Sequence, residues 1–199
     1  MWLFLYYKNI EFIFLQSHSM WGLIGSSYVL EHPNDFEAMV LSWPAIESPD
    51  NAIITEINKF LTKFISPMFP RVKLTKLDVN WISSIPEVIN DYMNDILVYK
   101  GRITMKLCNE ILKTIKHVKE HANKIRLKTL ILQGKKDTLV NPEGAKILHD
   151  LIENSELKTY KWKHEVFNDV ESKQVLQDMT KFIEKVLNII PASTEYGFN

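Results

Sequence analysis

Glu11-Phe-Ile-Phe-Leu-Gln16 runs into Ser17-His18-Ser19-Met20-Trp21-Gly22, and Leu23 to Leu30 then continues as a stretch rich in small and apolar residues. The first piece reads as a buried strand and the last as a helix, so the residues between them form a strand-to-helix turn. A serine on so sharp a turn has its hydroxyl held clear at the carboxyl end of a sheet, which suits a nucleophile. Strand and helix pass very close there, so small residues are wanted two positions before and two after the serine. Those positions hold Ser17 and Trp21. Trp21 is expected to overpack the crossing, at a cost of ~1–3 kcal/mol, unless missing neighbouring elements leave room for it. The plainer alternative is a turn serine that caps the first N–H groups of the helix.

Outward from this turn, apolar runs and periodic stripes alternate. Ala38-Met-Val-Leu-Ser-Trp43 reads as a second buried strand, stopped by Pro44 and Pro49. Ile53, Ile54, Ile57, Phe60, Leu61, Phe64 and Ile65 have helical spacing, closed by Pro67 and Pro70. Residues 66–100 read as irregular. Ile103, Leu107, Ile111, Ile115, Val118 and Ala122 mark one face of a helix whose other face is mostly lysine. Leu127 to Gly134 is a third strand, Asn141 to Ile152 a helix entered through Pro142, and Leu157 to Trp162 a fourth strand. Val170 to Leu187 is a final amphipathic helix, followed from Ile190 by a tail expected to fray. Strands alternating with helices predict an α/β fold with a mostly parallel sheet and crossover helices. The long, mostly helical stretch 48–125 exceeds a simple crossover and reads as an inserted cap. Residues 1–47 and 126–189 are then the core, with 190–199 as the tail.

Two later segments bear on Ser19. Leu130-Ile-Leu-Gln-Gly-Lys-Lys-Asp137 places an acid just beyond the third strand, and Tyr160-Lys-Trp-Lys-His164-Glu165 places a histidine just beyond the fourth. The order Ser19, Asp137, His164 is nucleophile, acid, base, each at the carboxyl end of a parallel strand, where side chains converge. His164 would take the proton of Ser19 and return one to the leaving group. Asp137 would fix the imidazole tautomer, and the backbone N–H of Met20 would supply half of an oxyanion hole. Taken singly, Asp137 reads as a turn cap and His164 as a surface histidine; their order and strand context favour the catalytic assignment. A halide-displacing hydrolase is disfavoured, because its nucleophile would be a carboxylate at position 19.

Composition narrows the classes. The chain has 199 residues, room for one domain, with 24 basic and 24 acidic side chains, so no global field attracts nucleic acid or anionic lipid. Eleven basic residues lie between Lys100 and Lys136 against only Glu110 and Glu120. That basic helix has no Phe, Tyr or Trp between Arg102 and Lys128 to stack bases, so it reads as a solvated face, or as a lid resting on an anionic membrane. A lone cysteine, Cys108, excludes an intramolecular disulfide and a cysteine-rich zinc site. His117 and His121 have a zinc-compatible spacing but no intervening Glu or third ligand, so they read as a solvated helix face rather than a metal site. The apolar start is broken by Lys8 and Glu11, too soon to span a bilayer, and lacks a basic leader. A cytoplasmic, non-secreted protein is expected.

With those segments in view, the chain resembles the monoglyceride (monoacylglycerol) lipases, serine α/β-hydrolases, over roughly their carboxyl-terminal two-thirds. Phe14 to Gly22 is similar to the family's elbow, usually Gly-His-Ser-Met-Gly-Gly. Leu41-Ser-Trp-Pro-Ala45 is similar to the family's next strand and loop, and the Asp137 and His164 segments to its acid and base segments. The resemblance implies a partial α/β-hydrolase fold lacking its amino-terminal strands, with a helical cap forming an apolar acyl tunnel. It implies hydrolysis of monoacylglycerol to fatty acid and glycerol without metal or cofactor, and peripheral membrane contact through the cap. Cys108 looks like a cap cysteine that makes some relatives thiol-sensitive, and some poxvirus homologues are similarly short. Residues 1–16 contain no glycine for the family's second oxyanion loop, and the turn before His164 lacks its usual glycine. An impaired site is therefore expected, with self-association through an open sheet edge and a poorly covered sheet face. The alternative function is a catalytically dead module that binds lipid or protein.

Overall fold

The computed structural model describes residues 12–47, 65–74, 76, 78–161, 163–165, 167 and 172–189. The elements among them are β1 (Phe14–His18), α1 (Met20–Glu31), β2 (Ala38–Ser42), α2 (Pro86–Asn94), α3 (Met105–His121), β3 (Lys128–Gly134), α4 (Glu143–Leu151), β4 (Ser155–Tyr160) and α5 (Ser172–Ile189). Short 3-10 turns occupy Val79–Trp81 and Ala122–Lys124. The helical stripe expected at 53–65 lies outside the described residues apart from Ile65, as do the apolar start and the tail.

Four strands pair in parallel in the order β1-β2-β3-β4. The register sets His18 beside Ser42, Ser42 beside Leu132, and Gly134 beside Tyr160, so the carboxyl ends of all four strands lie along one edge. Alternation along the strands divides the core. Leu15, Met39, Leu41 and Ile131 face a cluster that includes Leu23 and Val29 of α1, Val118 of α3 and Leu148 of α4. Ala38, Val40, Leu130 and Leu132 face the other way, onto Val175, Met179, Phe182 and Val186 of α5. Both faces of β2 are buried, which explains its unbroken run Ala38-Met-Val-Leu-Ser. The face expected to be poorly covered is closed by α5.

The lysine-faced helix forms as α3. Thr104 caps it by accepting a hydrogen bond from Leu107 N, and Lys119 and His121 in its last turn suit the helix dipole. Val118 and Ala122, inside the 48–125 stretch, pack beneath α1 in the same core cluster. Residues 66–100 are not simply irregular. Pro86 at the first helical position and Glu87 in the first turn start α2. Two apolar pairs one turn apart, Val88 and Ile89 then Tyr92 and Met93, give it a face. The sheet segments also shift. β1 continues to His18, two residues past the expected end, and β4 starts and ends two residues early, because pairing with a neighbour sets strand limits. Among the described residues, no helix is long and apolar enough to cross a membrane.

Candidate active site

Ser19 joins β1 to α1 with φ 54° and ψ −124°, a left-handed conformation that costs an L-residue ~1–3 kcal/mol. The surroundings hold it there. Ser19 N donates to Ser42 O at 2.9 Å, while Ser19 O accepts from Gly22 N at 2.9 Å and Ala45 N at 3.1 Å. The close approach of strand and helix is real, but different residues make it. A Cβ on Gly25 would stand 2.6 Å from Ser17 Oγ, and one on Gly22 would stand 3.0 Å from Pro44 Cα. Gly22 and Gly25 are one turn apart and share the inner face of α1. Trp21 is rotated off that face and is 47% exposed, so it does not overpack the crossing. That corrects the sequence expectation.

His164 and Asp137 arrive from the loops after β4 and β3. His164 Nε2 lies 2.8 Å from Ser19 Oγ, across a separation of 145 residues, and His164 Nδ1 lies 2.8 Å from Asp137 Oδ2. His164 is only 3% exposed, and Asp137 is buried beside it. Asp137 Oδ1 accepts from Leu139 N at 2.8 Å and Val140 N at 3.0 Å, which fixes the carboxylate, while Oδ2 faces the imidazole and also accepts from Gln133 Nε2 at 3.4 Å. With Nδ1 donating to Asp137, Nε2 is the lone-pair nitrogen that accepts the Ser19 hydroxyl proton. The three residues picked from the sequence therefore form one continuous chain. Met20 stands at the first position of α1, where a backbone N–H has no intrahelical acceptor. Cys108 lies on α3, part-buried, and burial pushes its thiol pKa up, away from the reactive thiolate.

Several supporting residues escaped sequence reasoning. Trp43, fully buried with φ 49°, stacks on Tyr160 and donates from Nε1 to Lys163 O at 2.7 Å. His18 accompanies His164, their ring centroids 5.0 Å apart, with His18 Nδ1 2.9 Å from Ser42 Oγ. Glu165 Oε1 lies 3.5 Å from His18 Nε2. Burial pushes the Glu165 carboxyl up, but His18 and His164 outweigh it and hold the group below its usual range. Only the adjacency of His18 to Ser19, and of Glu165 to His164, could have signalled them. Among the described residues, no cluster of His, Cys, Asp or Glu could hold a metal ion.

A nucleophile hydrogen-bonded to a base, itself oriented by an acid, is equipped for acyl transfer. The family model described as serine aminopeptidase, S33 (Hydrolase_4) matches residues 7–171. The chain is similar to a monoacylglycerol lipase of Mycolicibacterium smegmatis, 31% identical over 169 residues that make up 83% of this chain and 60% of the relative. It is also similar to a monoglyceride lipase homolog of Monkeypox virus, 26% identical over 175 residues, or 86% of this chain and 62% of the relative. It thus spans about three-fifths of the length of these relatives. In fold it is similar to the crystal structure of a Paleococcus ferrophilus monoacylglycerol lipase, with a TM-score of 0.78 and 23% identity over 88% of this chain and 69% of that one.

Proposed function

Because the chain belongs to the serine aminopeptidase S33 (Hydrolase_4) family, as a monoacylglycerol lipase-like serine hydrolase, we propose that it hydrolyses monoacylglycerols or similar small lipid esters. The observation that carries the reading is the hydrogen-bond chain from Ser19 Oγ through His164 to Asp137, 2.8 Å at each link. In the first half-reaction Ser19 Oγ attacks the ester carbonyl carbon while His164 Nε2 takes its proton. The tetrahedral oxyanion accepts a hydrogen bond from Met20 N–H. As it collapses, the glycerol oxygen leaves with the proton from His164, and the acyl group stays on Ser19. Water, deprotonated by the same imidazole, then attacks the acyl carbon; the bond to Ser19 Oγ breaks, the imidazolium returns its proton to Ser19, and the fatty acid leaves. Asp137, hydrogen-bonded to His164 Nδ1 through Oδ2, orients the imidazole and stabilises the imidazolium.

Peripheral contact with a lipid surface through the cap segment fits the same reading. Met68, Phe69, Ile96 and Leu97 are exposed there, Ile96 at 93%. A fluorophosphonate probe tests the chemistry. The wild-type chain is expected to label and Ser19→Ala to remain unlabelled, with circular dichroism showing both folded; release of fatty acid from a monoacylglycerol should match that pattern. A folded wild type that neither labels nor turns over ester overturns the enzyme reading and leaves a lipid- or protein-binding module.

A further inference from the structure

The loop that carries His164 is fastened by more than its own strand. Lys163 Nζ donates to Asn80 O at 2.9 Å and approaches Ser83 O at 3.4 Å, so the ammonium bridges two backbone carbonyls. Two residues later, Glu165 N donates to Ile82 O at 2.8 Å. All three contacts end on the short segment 80–83, where the 3-10 turn Val79–Trp81 closes. Carbonyls at such a turn's end lack intrahelical donors, and a lysine supplies both hydrogen bonds and the favourable charge. On the core side, Trp43 Nε1 donates to Lys163 O, His164 bonds Ser19 and Asp137, and Glu165 Oε1 lies 3.5 Å from His18 Nε2. His164 therefore sits between two bonds to the cap segment, one on either side of it in the chain.

We propose that Lys163 is a positioning residue that ties the His164 loop to cap segment 80–83 and so keeps His164 Nε2 within hydrogen-bond reach of Ser19 Oγ. No glycine lies between Gly144 and His164, so this loop does not rely on a glycine turn to set its geometry, and the lysine does that work from outside. The tether also makes the cap part of the catalytic alignment, since movement of segment 80–83 pulls on both neighbours of the base. The consequence for turnover rests on the serine hydrolase reading; the positional claim does not.

Lys163→Met keeps the aliphatic stem and removes the donor. Misplacing a base by about an ångström costs on the order of ten- to a hundred-fold in rate. Fluorophosphonate labelling at saturating probe should fall by that factor in the variant, with the probe concentration for half-maximal rate unchanged, and Lys163→Arg should recover most of it. A merely structural lysine would instead lower the urea midpoint without selectively slowing labelling. A second readout needs no turnover, namely the low-field proton resonance of His164 Nδ1–H, assigned by its loss in His164→Asn. It should be sharp in wild type and Lys163→Arg, and broadened or lost in Lys163→Met. If the wild type does not label at all, the enzyme reading fails and this resonance alone decides the tether. An equally sharp resonance in Lys163→Met, or unchanged labelling, overturns the proposal. Should Lys163→Met lack the wild-type circular dichroism spectrum, Lys163→Gln, too short to span both carbonyls, takes its place with the same two outcomes.

Discussion

Gly25→Ala should damage the elbow from behind. The added methyl would stand 2.6 Å from Ser17 Oγ and 3.3 Å from both Ser17 Cβ and Leu15 Cδ2. The Ser17 hydroxyl can rotate about χ1, but Ser17 Cβ and Leu15 Cδ2 have less room to give. Ser17 is on a paired strand beside Leu41, and Leu15 is buried in the core cluster beneath α1. Overpacking of this kind costs ~1–3 kcal/mol. Replacing a helix-interior glycine by alanine returns ~1 kcal/mol through propensity. The net loss should therefore be about 1 kcal/mol and no more than about 2 by the same figures. Because Ser17 and Ser19 share the strand end, the strain should also displace the nucleophile and slow fluorophosphonate labelling. Ser17→Gly removes the clashing hydroxyl and Cβ together, so the double variant should be more stable than the sum of the single effects by ~1–2 kcal/mol. Urea unfolding of the four proteins measures this coupling. A cycle with no coupling would show that strand and helix are not in contact at this point.

Trp21→Gly restores the small residue that the elbow pattern asks for, yet it should not stabilise the chain. The indole is half exposed, and glycine gives up about 0.5 kcal/mol of helix propensity, so a clear rise in the urea midpoint would contradict the outward placement. Trp43→Phe removes the donor to Lys163 O. It should cost ~1–3 kcal/mol for the carbonyl left unpaired and slow labelling of Ser19; a variant that lowers stability alone would separate Trp43 from the site. Glu165 is pushed up by burial but held lower overall by His18 and His164. Its stabilising contribution is present above the ordinary glutamate range and fades as pH falls through the depressed folded value. Glu165→Gln should therefore flatten the acid side of the stability–pH curve, and an unchanged slope would refute the pairing with His18. Burial raises the Cys108 pKa, so alkylation near neutral pH should be slower than for a free cysteine and should accelerate only at higher pH than for the free thiol. Fast neutral-pH alkylation would mean that the thiol is not desolvated.

The strands, most helices and the three residues that meet at the candidate site are legible in the sequence, because those signals are local. Apolar runs such as Leu130 to Leu132 and the helical stripe from Ile103 to Ala122 are written into consecutive residues. The order Ser19, Asp137, His164 needs only chain position and strand ends. The signals for α2 are local too, a proline at its start and an acidic first turn, although the surrounding stretch reads as irregular. Everything else depends on distant segments meeting. Whether Trp21 crowds the elbow depends on which side of α1 faces β1, and the structure gives that side to Gly25, with Gly22 against Pro44. The partners of Trp43 and Lys163 lie 120 and 83 residues away, beyond any periodicity or motif. The left-handed turn at Ser19 is unfavourable on its own and persists because Ser42, Gly22 and Ala45 bond its backbone. Local preference can name a nucleophile, but only packing across the sheet can hold it in a conformation that an isolated chain would leave.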